Sequence, residues 1–245
     1  MRREVRMEEI SDGKLYRAED MVRAGCGDCQ GCSACCHRMG NSIIVDPLDI
    51  YRLNIQGKVG LEELFSRYLE LHMEDGIILP NLKMTGPEEA CGFLDQDGRC
   101  SVHPSRPGLC RLFPLGRFYE NGGFRYFLQT GECRKPNRTK VKVSRFIDTP
   151  DLKTNEAYVA DWHYFLLDAQ DYVKRCGDPE ETKKVNMTLL NLFFLTPYDG
   201  GQEFYGQFYR RFQTVQPMRE EWKREGKSSC RRWSREAVRG PHGGG

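Results

Sequence analysis

Eleven cysteines occur in the chain, and nine of them lie between Cys26 and Cys133. The densest stretch reads Cys26-Gly-Asp-Cys29-Gln-Gly-Cys32-Ser-Ala-Cys35-Cys36-His37. Cysteines two residues apart can aim their sulfurs at one centre when the backbone turns around it. Gly27, Gly31, Ser33 and Ala34 leave room for that turn. The thiolate is the ligating form, and a bound cation supplies the charge that stabilises it. This spacing serves tetrahedral zinc and iron–sulfur clusters alike. Five cysteines within eleven residues exceed what one tetrahedral site needs.

A second group follows as Cys91, Cys100, Cys110 and Cys133. Cys110 lies between Arg106-Pro107 and Arg111-Leu112-Phe113-Pro114, and a proline on each side restricts the backbone around it. The bland alternative is a scatter of inert buried thiols, since free cysteine is among the most buried residue types. Clustering argues against that for the first nine. For Cys176 and Cys230, which have no paired cysteine, the inert reading stands. The predicted metal ligands are Cys29, Cys32, Cys35, Cys36, Cys91, Cys100, Cys110 and Cys133, enough for two four-ligand sites or one polynuclear centre. Cys26 and His37 stay open as ligands, and a lone histidine such as His37 or His103 beside such a cluster is more often a neighbour than a ligand. Arg106 and Arg111 either stabilise thiolate charge or make ordinary surface ion pairs.

The composition needs such a centre. Leu, Ile, Val and Phe account for 54 of the 245 residues, close to the level at which chains fail to fold. Mean hydropathy is −0.65, so apolar burial alone is thin. The net charge of +2 gives no bulk attraction to nucleic acid, which is not an expected partner. Basic residues concentrate in Arg210–Arg239, read as a solvated terminus. The longest apolar run, Thr188–Tyr198, is too short to span a membrane. The first residues show no apolar export signal, so a reducing cytoplasm is the expected setting and the cysteines are expected as thiols. No phosphate loop, zinc-protease helix or serine elbow is found.

The elements that must position these thiols are short at first. Ser42–Val45 reads as a strand and Asp46-Pro47 as a helix start carrying Leu48, Ile50, Tyr51 and Leu53. Leu61, Leu64, Phe65, Tyr68, Leu69 and His72 follow helical spacing. Ile77–Met84 reads as extended. Cys91–Leu94 and Arg99–His103 read as a hairpin around Asp97-Gly98, which would bring Cys91 and Cys100 together. Phe124–Thr130 reads as a strand after Asn121-Gly122-Gly123. Arg134–Phe146, basic and without acids, reads as a connection. Beyond Thr154 the pattern is helical: a stripe through Tyr158, Trp162, Phe165, Leu166, Ala169, Tyr172 and Val173, a helix opened by Asp178-Pro179 and stopped before Pro197, and an aromatic helix from Phe204. The aromatic stripes read as core. The expected fold is α+β, an irregular cysteine-rich core with short strands over 26–135, a helical region over 136–215 packing on it, and a basic tail over 216–245.

At the cysteine motifs the sequence resembles the zinc- or iron-chelating cysteine-cluster proteins sometimes called YkgJ-like. Cys29, Cys32, Cys35 and Cys36 supply the CxxCxxCC element, Cys91-Gly-Phe-Leu-Asp the next, and Cys100 through Arg106-Pro107-Gly-Leu-Cys110-Arg111-Leu-Phe113 the third. Cys133 would be the last. The resemblance implies metal chelation. It also brings in flagellin lysine N-methylases, which implies an S-adenosylmethionine-dependent methyl transfer to protein lysines as an alternative. The radical form of that chemistry needs Cys-x3-Cys-x2-Cys, and Met39 stands where its last cysteine belongs. More than four closely packed thiolates favour an iron–sulfur cluster, of the 4Fe-4S type, over zinc. The expected role is redox or accessory, with a protein partner left open. A structural zinc module that serves interaction is the remaining alternative.

Overall fold

A computed structural model describes residues 7–27 and 29–224, so Cys230 and the end of the basic segment lie outside the described residues. The architecture is mixed α+β, with short two-stranded sheets in the cysteine-rich half and long helices after it. Two compact units form. Of the described residues, one holds those from 7 to 72 together with Leu79–Asp161, and the other holds Met73–Ile78 and those from 162 to 224. Among the described residues no helix is long and apolar enough to cross a membrane.

The order runs from a short helix α1 (Met7–Ile10) and strand β1 (Met21–Gly25) to helices α2 (Pro47–Tyr51) and α3 (Leu61–Glu63), each continued by a π-helical turn. Strands β2 (Leu69–Glu74), β3 (Ile77–Leu82), β4 (Met84–Thr85) and β5 (Ala90–Cys91) follow. Helix α4 (Gly108–Leu112) precedes strands β6 (Leu115–Glu120), β7 (Gly123–Leu128) and β8 (Thr139–Lys142), then helix α5 (Val143–Ile147). The long helices are α6 (Leu152–Cys176), α7 (Pro179–Leu189) and α8 (Phe204–Arg224).

In the cysteine-rich unit β6 pairs with β7 from Leu115↔Leu128 to Glu120↔Gly123. The two linking residues, Asn121 at φ 50° and Gly122 at φ 76°, both take positive φ, as a two-residue hairpin turn matching strand twist requires. β1 pairs with β8, Met21↔Lys142 and Val22↔Val141. Val22, Ala24, Leu112, Leu115, Tyr126, Leu128, Val143 and Ile147 bury together beneath these ribbons. Four expectations are corrected here. Arg134–Phe146 is no mere connection, because its second half supplies β8 and most of α5 and part of this core. The helix expected through His72 ends at Tyr68, and Leu69 opens β2. Asp75 (φ 51°) and Gly76 (φ 87°) make the same kind of tight turn, so Leu69–Glu74 finds its hydrogen bonds in β3. The expected hairpin around Asp97-Gly98 is reduced to one bridge, Leu94↔Cys100, because β5 pairs with β4 instead. Ser42–Val45 likewise makes only one bridge, Ile44↔Asn81.

In the helical unit the aromatic stripes are core. Trp162 meets Phe193 edge-on at 5.0 Å, Phe165 meets Phe212 at 5.2 Å, and Phe208 stacks on Phe212 at 5.3 Å. The β2–β3 tip joins this unit through buried amides. Asn186 accepts from the Ile78 N–H at 2.6 Å and donates to the Gly76 carbonyl at 3.0 Å, while Gln170 donates to the Glu74 carbonyl at 3.2 Å. Helix α8 continues past Pro217 to Arg224, nine residues into the segment expected as tail.

Candidate metal centre

Local backbone builds the centre one segment at a time. From Gly27 the chain makes successive tight turns, Gln30 N–H to the Gly27 carbonyl at 3.2 Å, Cys32 N–H to that of Cys29 at 3.0 Å and Cys36 N–H to that of Ser33 at 2.8 Å. Gly27, Cys29 and Gly31 all take positive φ, which winds the chain tightly. The last turn is 3₁₀, Ala34–Cys36, and places Cys35 and Cys36 side by side. An antiparallel bridge His37↔Ala90 and the Arg38 N–H on the Glu89 carbonyl at 2.8 Å then set Cys36 beside Cys91. Cys91 ends β5, held where Tyr68 stacks on Phe93 at 4.1 Å. The Leu94↔Cys100 bridge and the Ser101 N–H on the Phe93 carbonyl at 2.8 Å return the chain, so Cys100 lies near Cys91.

Cys110 sits in the middle of α4, and that helix is pinned from two sides. Its first N–H, at Gly108, donates to Asp49 Oδ1 at 2.7 Å. Arg111, only 8% exposed, donates from its guanidinium to the Pro104 carbonyl and, at 3.1 Å, to the Asp148 carbonyl. Asp49 itself completes a reciprocal cap on α2. Asp46 Oδ1 accepts the Asp49 N–H at 2.9 Å, and Asp49 Oδ2 accepts the Asp46 N–H at 3.2 Å.

The electrostatics show which thiols are neighbours. A hydrogen bond from the Cys36 thiol holds Cys35 down at about 7, and the same bond, with burial, keeps the proton on Cys36. Cys36 is further raised by the charges of Cys35, Cys91 and Cys110. Burial raises Cys91, with Cys100 and Cys35 adding to it. Burial raises Cys110 well above the usual thiol range, reinforced by Cys91, Asp49, Cys100 and Cys35. Cys100 is raised by burial and eased by Arg106 and Arg99. Cys29 is pushed up to about 12 by burial and by Cys26, whose sulfur is 3.8 Å away, and is eased by Arg106. Asp49 is raised to about 7, by burial first and then by Asp46.

Of the eight predicted ligands the structure thus brings together Cys35, Cys36, Cys91, Cys100 and Cys110, with Cys29 at the edge beside Cys26. Cys32 and Cys133 are free thiols that do not figure among the principal groups acting on that set. Among the described residues no three Cys, His, Asp or Glu side chains already converge on one point as a finished ion site. The donor chemistry nonetheless fits a metal centre. Burial and mutual repulsion keep most of these thiols protonated, a penalty that a bound cation reverses as it draws the thiolates in. Arg106 carries its charge to Cys29 and Cys100, whereas Arg111 turns its two terminal nitrogens to backbone carbonyls. The sequence reading missed Asp49. A carboxylate three residues after a capping Asp signals the local box, and nothing in the sequence points from it to Gly108.

Residues 28–143 match the family model described as "CxxCxxCC: Putative zinc- or iron-chelating domain". This stretch, 116 of the 245 residues, is similar to that family. It begins inside the cysteine run and ends one residue beyond β8, so the family's span takes in the strand that closes the ribbon with β1. No curated protein and no solved structure matches the chain. The eight predicted cysteines all fall within the matched stretch, as do Asp49, Arg106 and Arg111. The family's description as zinc- or iron-chelating agrees with the donor set that the geometry gathers.

Proposed function

We propose that the CxxCxxCC-like stretch holds an iron–sulfur cluster, of the 4Fe-4S type, and serves a redox or accessory role. The ligands are drawn from Cys29, Cys32, Cys35, Cys36, Cys91, Cys100, Cys110 and Cys133, with Cys35, Cys36, Cys91, Cys100 and Cys110 at the centre. One observation carries the reading: the His37↔Ala90 and Leu94↔Cys100 bridges draw the Cys35–Cys36 turn, Cys91 and Cys100 from distant stretches of chain into one region, where Cys110 feels the charges of Cys91, Cys100 and Cys35. A 4Fe-4S cluster takes four cysteine thiolates, which this group supplies. When bound, the cluster would supply one-electron redox chemistry. The chain's own residues do the rest. Cys35 ionises first, its neighbours release protons as the thiolates are engaged, and Arg106 offsets part of the accumulated negative charge.

The test is anaerobic isolation followed by iron, zinc and acid-labile sulfide analysis with visible absorption. Brown protein with broad charge-transfer absorption and matching iron and sulfide is expected. Colourless protein with stoichiometric zinc overturns the iron reading and leaves a structural zinc module. Metal-free protein that takes up neither metal overturns both.

A further inference from the structure

We propose that Asp49 is the positioning residue for Cys110: its carboxylate reaches from the start of α2 to the Gly108 N–H and fixes the helix on which that cysteine sits. This rests on the metal-centre reading above and deepens it.

Asp49 is 1% exposed, so its carboxylate must be satisfied by protein. One oxygen, Oδ2, is used locally by the Asp46 N–H. The other, Oδ1, goes to a donor 59 residues away in the chain. That donor needs it. Gly108 opens α4, and the first N–H groups of a helix have no partner within it. The residue ahead, Pro107, offers no side-chain acceptor to the turn. Cys110 lies two residues further on, at the centre of a five-residue helix. A rotation of so short an element would swing Cys110 away from Cys91 and Cys100. With Arg111 holding the Pro104 and Asp148 carbonyls, the Asp49–Gly108 bond fixes both ends of the turn.

The experiment uses the full chain, stripped of metal and titrated anaerobically with Co2+ alone. Two readouts are taken: the dissociation constant by chelator competition, and the thiolate-to-cobalt absorption bands. Asp49→Ala should weaken binding by about ten- to a hundredfold, the range for residues that orient ligands, and should alter the bands. Asp49→Asn, which keeps an acceptor oxygen for Gly108, should stay within about threefold of wild type. Asp46→Ala removes the local cap but not the Gly108 bond, and should likewise stay within about threefold. Wild-type affinity and bands in Asp49→Ala overturn the proposal, as does an equal loss in Asp46→Ala. If Asp49→Ala does not fold, Asp49→Glu, which moves the acceptor by one methylene, is read in its place by the same criteria. A wild-type chain that binds no cobalt overturns the metal-centre reading and this one together, whereas cobalt binding indifferent to Asp49 sinks only the positioning role.

Discussion

Cys35 and Cys36 share one proton unequally, and that inequality is what an adjacent pair of thiols contributes. Cys35 is available as thiolate near neutral pH, while Cys36, Cys91 and Cys110 must be deprotonated by whatever they bind. Replacing Cys91 or Cys110 by Ser should therefore lower the metal content measured by elemental analysis. Cys176→Ser, on α6, should leave it unchanged. A second prediction concerns Tyr126, which is 2% exposed and donates to Glu156 at 2.8 Å. Burial, and then the Glu156 charge, raises its phenol above the usual range near 10. Above that pH the unfolded chain loses this proton and the folded chain keeps it, so stability falls as pH rises. Urea unfolding at several pH values above about 10 should show a shallower decline for Tyr126→Phe than for wild type. The cysteines were legible at this scale because few residue types ligate soft metals and their spacing is unusual. Asp49 was not, because its decisive partner is tertiary.

At the scale of elements, local signals succeeded where the chain carries its own stop and start. Asp46-Pro47 and Asp178-Pro179 both open helices as read, with Asp178 accepting the Glu180 N–H at 2.9 Å. Asp178→Ala should cost about 1 kcal/mol of stability, measured by urea unfolding. Phe193→Ala, which empties the space facing Trp162 and Phe208, should cost about 3–5 kcal/mol by the same method. Signals failed where a partner strand decides. Leu69–His72 continues a helical spacing, yet Asp75-Gly76 folds it onto β3. β1 and β8 show no alternation strong enough to read, since each is completed only by the other across more than a hundred residues. The Cys91–His103 hairpin failed in part for the same reason: β4 claims β5.

For the whole molecule, two cores mean two sources of stability. The helical unit rests on packed aromatic rings, and the cysteine-rich unit has a small apolar core beside a group of half-buried thiols. Metal removal by a chelator should therefore abolish the near-ultraviolet signal of the cysteine-rich unit while most helical ellipticity persists, followed by circular dichroism. Unchanged spectra in the metal-free chain would contradict this. Composition divides the chain near residue 135, whereas its packing divides it at Asp161 and Trp162, because β8 and α5 complete the first core. The spacing of the gathered cysteines carries one more consequence. Cys91 and Cys100 are nine residues apart, and Cys36 and Cys91 are 55 apart. Closing the longer loop in an unfolded chain costs about 1–2 kcal/mol more. Joining the upstream pair to Cys91, Cys100 and Cys110 is therefore the costlier closure, the clasp that turns two short strings of thiols into one necklace.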